Sequence, residues 1–322
     1  MSETTFPIEA RGLAKTYRLG FAMNRRVRAL QGLDLAIPAG QVYGLLGPNG
    51  AGKSTTIKIL MNLVQPSSGE ARVFGLSPGD PAARRQIGYL PENPAPYEYL
   101  TGKEFVVLAG RLCGLSGAEL DKRVNNVLGR VQMDKHSSLQ IRRYSKGMVQ
   151  RIGLAQAIIH QPSLLVLDEP TSGLDPIGRR QIRDLILEER ARGTTILFCT
   201  HIISDVEALC DRAAVLVGGR LAHEGSVQDL LTSQNPQVEF LSKGVNLEML
   251  HGFGIPFEEA KLVGDRLWVR AQDANANALV GKVVGSGGQL LQLLPVRYNL
   301  EDLFLKAIEQ ANQSMVGGDI VG

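Results

Sequence analysis

Short unbroken apolar runs recur along the chain between amphipathic stretches, and this alternation sets the expected architecture. Residues 42–46 and 164–167 are continuous apolar segments of strand length, the pattern of strands buried on both faces. From residue 164 onward the periods alternate, with strands at 164–167, 195–199 and 213–217, helices at 177–192 and 203–209, and Gly193 placed to stop the first helix. Alternation of this kind predicts a parallel α/β sheet. Residues 6–46 and 69–75 read as short, turn-punctuated strands of an antiparallel layer, and 93–160 as mostly helical, broken by loops such as 94–97. Met148, Ile152, Ala155 and Ile159 recur at helical spacing and predict a helix with one buried face. Past residue 232, Ser233, Gln234, Asn235 and Pro236 read as a linker. Short strands then follow at 238–241, 261–263, 267–270 and 289–294, with helices at 274–284 and 300–310, the last carrying Leu300, Leu303, Phe304 and Ala307 on one face.

At 322 residues the chain exceeds a typical domain of roughly 100–200 residues, so a larger domain over 1–232 and a smaller one over 233–322 are expected. Its 44% hydrophobic fraction can supply a core, and a formal charge of +3 is too slight to argue for a nucleic-acid partner. No run approaches the ~18 apolar residues of a membrane helix, and the first five residues lack the features of a signal peptide, so a cytoplasmic location is expected. Cys113, Cys199 and Cys210 are odd in number and without metal-ligand spacing, which favours reduced thiols.

Candidate chemistry begins directly after the apolar run at 42–46. Gly47, Pro48, Asn49, Gly50, Ala51, Gly52, Lys53 and Ser54 match G-x-x-x-x-G-K-[ST], a phosphate-binding loop between a strand and a helix expected over 54–63. The glycines let backbone N–H groups turn toward one anion, Lys53 neutralises the β- and γ-phosphates, and Ser54 offers a hydroxyl to Mg²⁺. The strand at 164–167 ends in Asp168 and Glu169, where an open parallel sheet places ligand chemistry. Asp168 suits a hold on Mg²⁺, and Glu169 suits polarising an attacking water. Between these segments, Ser145 is placed to cap the helix that follows Tyr144, leaving free N–H groups at its start.

Taken in order, these segments resemble the ATP-binding cassette family. Residues 47 to Thr55 are similar to its phosphate loop, 164–169 to its magnesium strand and catalytic carboxylate, 144–148 to its signature, and Ser172-Gly173-Leu174-Asp175 to its D-loop, while His201 stands where the family carries a switch histidine. The likeness covers about residues 6–230. It implies a P-loop NTPase cassette of α/β class with a parallel core sheet, an antiparallel β layer and a helical subdomain, followed by a small α+β C-terminal domain. The signature reads Tyr144-Ser145-Lys146-Gly147-Met148, a form that resembles the exporter branch serving drug, sodium, polysaccharide-related and gliding-motility systems. Glu92 stands at the family's Q-loop position in place of the usual glutamine. It reads either as a Mg²⁺ ligand and nucleotide sensor or as a solvated side chain. Tyr17 is the candidate to stack on adenine, with Phe21 as the alternative. The basic stretch 18–28 reads equally as a solvated hairpin or as a contact to lipid or partner. Tyr97 and Tyr99 read either as lining a partner groove or as packing aromatics.

The resemblance implies ATP and Mg²⁺ as ligands and a site completed between two chains. Lys53 and Ser54 of one would work opposite Ser145 and Gly147 of another, with Glu169 orienting water, His201 holding the γ-phosphate and Asp175 communicating across the interface. It implies two partners, a second cassette, as a homodimer or a similar chain, and a transmembrane permease subunit at the inner face of the cell membrane. A soluble ATPase acting on ribosomes or nucleic acid is the alternative. Relatives of that sort carry two cassettes or a long coiled-coil insertion, and this chain has neither.

Overall fold

The computed structural model describes residues 6–19, 25–231, 236–296 and 300–316. Phe21, residues 233–235 of the expected linker and residues 1–5 lie outside the described residues. Two compact units divide the chain, one running to Val227 and resuming at Phe304, the other Gln228–Leu303.

The first unit is built on a six-stranded sheet. Strands β1 (Ile8–Leu19), β2 (Arg25–Ile37) and β4 (Ser68–Val73) form a separate antiparallel layer in the order β2-β1-β4. The main sheet runs β5-β6-β7-β3-β8-β9, with β3 (Val42–Leu46), β5 (Ile87–Leu90), β6 (Leu164–Asp168), β7 (Thr195–Thr200) and β8 (Arg212–Val217) parallel. β9 (Arg220–Ser226) returns antiparallel to β8 and was not expected. Its turn is Gly218-Gly219, with φ of 58° and 79°, the conformation that a two-residue hairpin loop demands. The strands expected to be short are long, β1 with 12 residues and β2 with 13. The punctuation expected in this layer is a set of β-bulges: β1 and β2 shift register between Ala10 and Leu13, and Gly12 takes a φ of 56°. A bulge bends a strand without ending it.

Helices α1 (Lys53–Leu60), α6 (Pro176–Ala191) and α7 (Ile203–Leu209) connect these strands, with short α2 (Pro81–Arg84) and α8 (Val227–Leu231). Ile8, Leu13 and Leu33 of the antiparallel layer share one core cluster with Ile57 of α1 and Tyr43, Leu45, Leu164 and Leu197 of the main sheet. That core fixes the antiparallel layer and α1 against one face of the main sheet.

The helical part consists of α3 (Gly102–Leu112), α4 (Gly117–Arg130) and α5 (Lys146–Ile158). A capping box between Thr101 and Glu104 starts α3. The expectation of a single buried face on α5 is corrected: Gln150, Ile152, Gly153, Leu154, Ala155, Ala157 and Ile158 are all buried. The helix is enclosed by β5 on one side and by α3 and α4 on the other. A Cβ on Gly153 would stand 2.8 Å from Leu90 Cδ1, so glycine permits this close approach.

In the second unit, β10 (Gln237–Lys243), α9 (Leu247–Gly252), β11 (Glu259–Val263), β12 (Arg266–Gln272), α10 (Asp273–Gly285) and β13 (Gln289–Pro295) follow a βαββαβ order. The antiparallel sheet runs β11-β12-β10-β13. Helix α9 was not expected; its start is capped by Asn246, whose side chain accepts from Met249 N at 2.9 Å. Phe240, Leu250, Leu267, Val269, Leu279 and Val283 form the unit's own core. A last helix, α11 (Leu300–Val316), buries Leu300 and Ala307 and half-buries Leu303 and Phe304, the expected face. Among the described residues no helix is long and apolar enough to cross a membrane.

Candidate nucleotide site

Strand β3 is buried along its whole length between β7 and β8, so its C-terminal end delivers the loop 47–52 at the edge of the sheet. Gly50 and Gly52 take φ of 81° and 109°. A Cβ on Gly47 would meet Leu216 O at 2.6 Å, and one on Gly52 would meet Ala29 O at 2.7 Å, so the loop passes where a side chain has no room. Helix α1 starts from Gly52 with no side-chain cap and no acid in its first turn. Its leading amides and positive dipole end are therefore kept for an anion. Lys53 is 6% exposed; its Nζ donates to Gly47 O at 2.5 Å and lies 3.9 Å from Glu169 Oε1.

A cavity of about 390 Å³ opens at this loop, lined by Tyr17, residues 48–55, Glu92, Glu169 and His201. Tyr17, from the antiparallel layer, and the catalytic candidates, from the main sheet, thus meet at one space. Val27, Arg28 and Ala29 also line it. Sequence reasoning assigned Arg28 to a generic basic stretch. The signal was the hairpin register, which pairs Thr16 with Arg28 and Tyr17 with Val27.

Asp168 and Glu169 end β6 in different environments. Asp168 is 5% exposed, and its Oδ1 has no protein partner. Burial, then the charges of Glu92 and Glu169, push its carboxyl up to about 6, while Lys53 and a hydrogen bond with Ser54 oppose the shift. An orphaned carboxylate oxygen, a hydroxyl and a nearby second carboxylate are hard oxygen donors that fit Mg²⁺. Among the described residues no three His, Cys, Asp or Glu side chains form a metal cage. The set therefore suits a cation that shares phosphate oxygens.

Glu169 adopts φ 51°, a left-handed conformation uncommon for a residue with a side chain. Its carboxylate accepts from Thr200 Oγ1 at 3.3 Å and lies 2.9 Å from His201 Nδ1. The His201 side chain is 50% exposed, so it can also meet a ligand. Behind this pair, Thr171 Oγ1 donates to fully buried Asp205 at 2.5 Å, and Asp205 also accepts from Arg183. This network, unforeseen from sequence, anchors the segment that follows Glu169.

Ser145, Gly147 and Asp175 are not brought to the phosphate loop. They line a second cavity of about 470 Å³ with Gln132, His136, Arg151 and Gly173. Ser145 caps α5 by accepting from Met148 N at 3.3 Å, and Asp175 caps α6 by accepting from Gly178 N at 2.7 Å. His136 and Arg151 of this cavity had no sequence signal of their own. Tyr97 and Tyr99 are 55% and 69% exposed with ring centroids 5.9 Å apart, so they pack against each other at the surface.

The family model described as ABC transporter matches residues 30–172. An uncharacterized ABC transporter ATP-binding protein of Nostoc sp. is 39% identical over 94% of this chain and 90% of its own length. The Nod factor export ATP-binding protein I of Cupriavidus pinatubonensis is 35% identical over 85% of this chain and 84% of its own length. Among solved structures, a dimeric ATP-binding cassette in a post-hydrolysis state, bound to ADP and Pi, superposes with a TM-score of 0.62 at 25% identity, covering 68% of this chain and 98% of that one.

Proposed function

The chain belongs to the ABC transporter ATP-binding family, and on that premise we propose that it is the ATP-hydrolysing subunit of an exporter, working as one half of a cassette dimer on a separate membrane-embedded permease. The observation that carries this reading is the split of the motif set. The phosphate loop, Glu169 and His201 line one cavity, while Ser145, Gly147 and Asp175 line another on the same chain. A second copy is what brings a signature serine to a phosphate loop. The export relative and the dimeric, ADP-bound neighbour support this assembly and its direction.

In this reading the loop amides and Lys53 bind the β- and γ-phosphates, and Tyr17 stacks on the base. Ser54, Asp168 and Glu92 would hold Mg²⁺, which supplies charge neutralisation on the phosphates when bound. Glu169 accepts the proton of the attacking water, and His201, its Nδ1 held 2.9 Å from Glu169 Oε1, contacts the γ-phosphate with the exposed edge of its ring. Ser145 and the leading amides of α5 that its side chain does not cap, from the other copy, complete the phosphate cage. Phosphoryl transfer asks chiefly for positioning, so turnover requires both halves closed.

The test is affinity capture of Glu169→Gln from gently solubilised native membranes with ATP and Mg²⁺, read by mass spectrometry. A stoichiometric multi-helix membrane protein is expected. Recovery of ribosomal or DNA-associated proteins, or of the chain alone while a control transporter keeps its partner, refutes the proposal.

A further inference from the structure

We propose that Arg28 holds the α-phosphate of the bound nucleotide, which gives one arginine of the basic stretch 18–28 a defined task. This rests on the reading that the cavity at the phosphate loop binds ATP. Arg28 lines that cavity with Tyr17, Val27, Ala29 and the loop itself. The order along β2 sets what each residue can reach. Val27 is paired directly with Tyr17, the residue placed to stack on the base. Ala29 is pressed against the phosphate loop: a Cβ on Gly52 would stand 2.7 Å from Ala29 O, and one on Gly219 of the β8–β9 turn would also stand 2.7 Å from it. Arg28 therefore stands between the base end and the phosphate end. The two residues that bracket it are about 6.6 Å apart along a strand, the scale of one ribose. The charged group of a nucleotide at that step is its α-phosphate.

Strict alternation would turn Arg28 away from the face that carries Tyr17 and Val27. The ladder is not regular here. Thr16 pairs with Arg28 and Lys15 with Leu30, so Ala29 is an extra residue in β2, and a bulge of this kind re-aims the side chains beside it. Charge supplies the second argument. Of the other basic side chains lining the cavity, Lys53 is held at Gly47 O and near Glu169, and His201 lies beside Glu169, so both serve the β- and γ-phosphate end. Arg28 is left as the cation for the α-phosphate. Its side chain is exposed, and its ladder partner, Thr16, offers no charge to hold it elsewhere. A guanidinium meets a phosphate with two parallel N–H donors, which fixes orientation as well as charge. Arg18 and Arg26 of the same stretch are paired with each other and are not among the residues that line the cavity.

The test measures dissociation constants of ATP, ADP, AMP and adenosine on the full chain, by displacement of a fluorescent ATP analogue. Arg28→Ala should weaken ATP, ADP and AMP by one common factor of about tenfold or more and leave adenosine unaffected, since the first three share an α-phosphate and adenosine has none. Arg26→Ala, on the same strand but off the cavity, should change each constant by less than about twofold. A substitution that merely perturbed the hairpin would not separate AMP from adenosine. Constants within about twofold of the parent in Arg28→Ala, a loss that spares AMP, a loss shared by adenosine, or an equal loss in Arg26→Ala overturns the proposal. Lys53→Ala separates the two readings. If Lys53→Ala weakens ATP binding and Arg28→Ala does not, only the role of Arg28 falls; if neither weakens it, the nucleotide cavity falls as well.

Discussion

Replacing Glu169 by glutamine changes the charge of the site and almost nothing else. The amide has the size of the carboxylate and can keep contacts to Thr200 Oγ1, now at 3.3 Å, and to His201 Nδ1, now at 2.9 Å. Two electrostatic consequences oppose each other. Lys53 Nζ loses a carboxylate 3.9 Å away, while Asp168, whose carboxyl is pushed upward partly by Glu169, loses a repulsive neighbour. Folding stability and ATP affinity should therefore change little, within about 1 kcal/mol. Chemistry loses its base. A positioned general base contributes about 10²–10⁴ in rate, or roughly 3–5 kcal/mol of barrier at 1.36 kcal/mol per decade. Phosphate release under saturating ATP and Mg²⁺ should fall by that factor, with the calorimetric ATP Kd unchanged within about threefold. Turnover within about tenfold of the parent would remove Glu169 from the role of base. Loss of ATP binding in a folded variant would show that the site's geometry, and not its proton transfer, depends on the carboxylate.

Lys53→Ala acts instead on ground-state phosphate contacts and should weaken ATP binding by about tenfold or more, measured by calorimetry; unaltered affinity would refute the loop assignment. Asp205→Ala leaves Arg183 and Thr171 without their shared, fully buried acceptor. A loss of about 3–5 kcal/mol is expected, visible as a Tm lower by roughly 10 °C, and a Tm within about 2 °C of the parent would deny the network its anchoring role. His160 has its pKa lowered by burial despite its contact to Ile87 O, with nearby Arg123 adding to the shift. The folded state then binds its proton later than the unfolded state as pH falls. Stability present above the ordinary histidine value of about 6.5 is lost progressively below it. His160→Gln should flatten the acid limb of chemical-denaturation stability below about pH 6.5, and an unchanged limb would assign acid sensitivity elsewhere.

Much of the molecule was legible along the chain because its signals are local. A phosphate loop is specified by glycines whose φ and close backbone approaches admit nothing larger, and Ser145 was readable as a polar residue at a helix start. The apolar runs announced β3, β6 and β7 because strands buried on both faces have no polar alternation. What escaped was whatever a partner element decides. The stretch 6–46 read as short strands broken by turns, yet β1 and β2 run on through bulges such as that at Gly12, because each strand is paired with a neighbour that continues past it. Met148 to Ile159 looked like one apolar face, yet α5 is enclosed on several sides, which only the positions of β5, α3 and α4 determine.

The sequence by itself determined the chemistry available: an anion cradle, a lysine, two carboxylates at a strand end and a histidine, each carried by short-range geometry. Only the tertiary structure decided which of them meet. It set Tyr17 and Arg28 at the loop's cavity, left Asp168 Oδ1 buried without a protein partner, and kept Ser145 and Asp175 at a separate cavity. Those outcomes depend on contacts between residues far apart in the chain, where packing of whole sheets and helices, not local propensity, sets the distances.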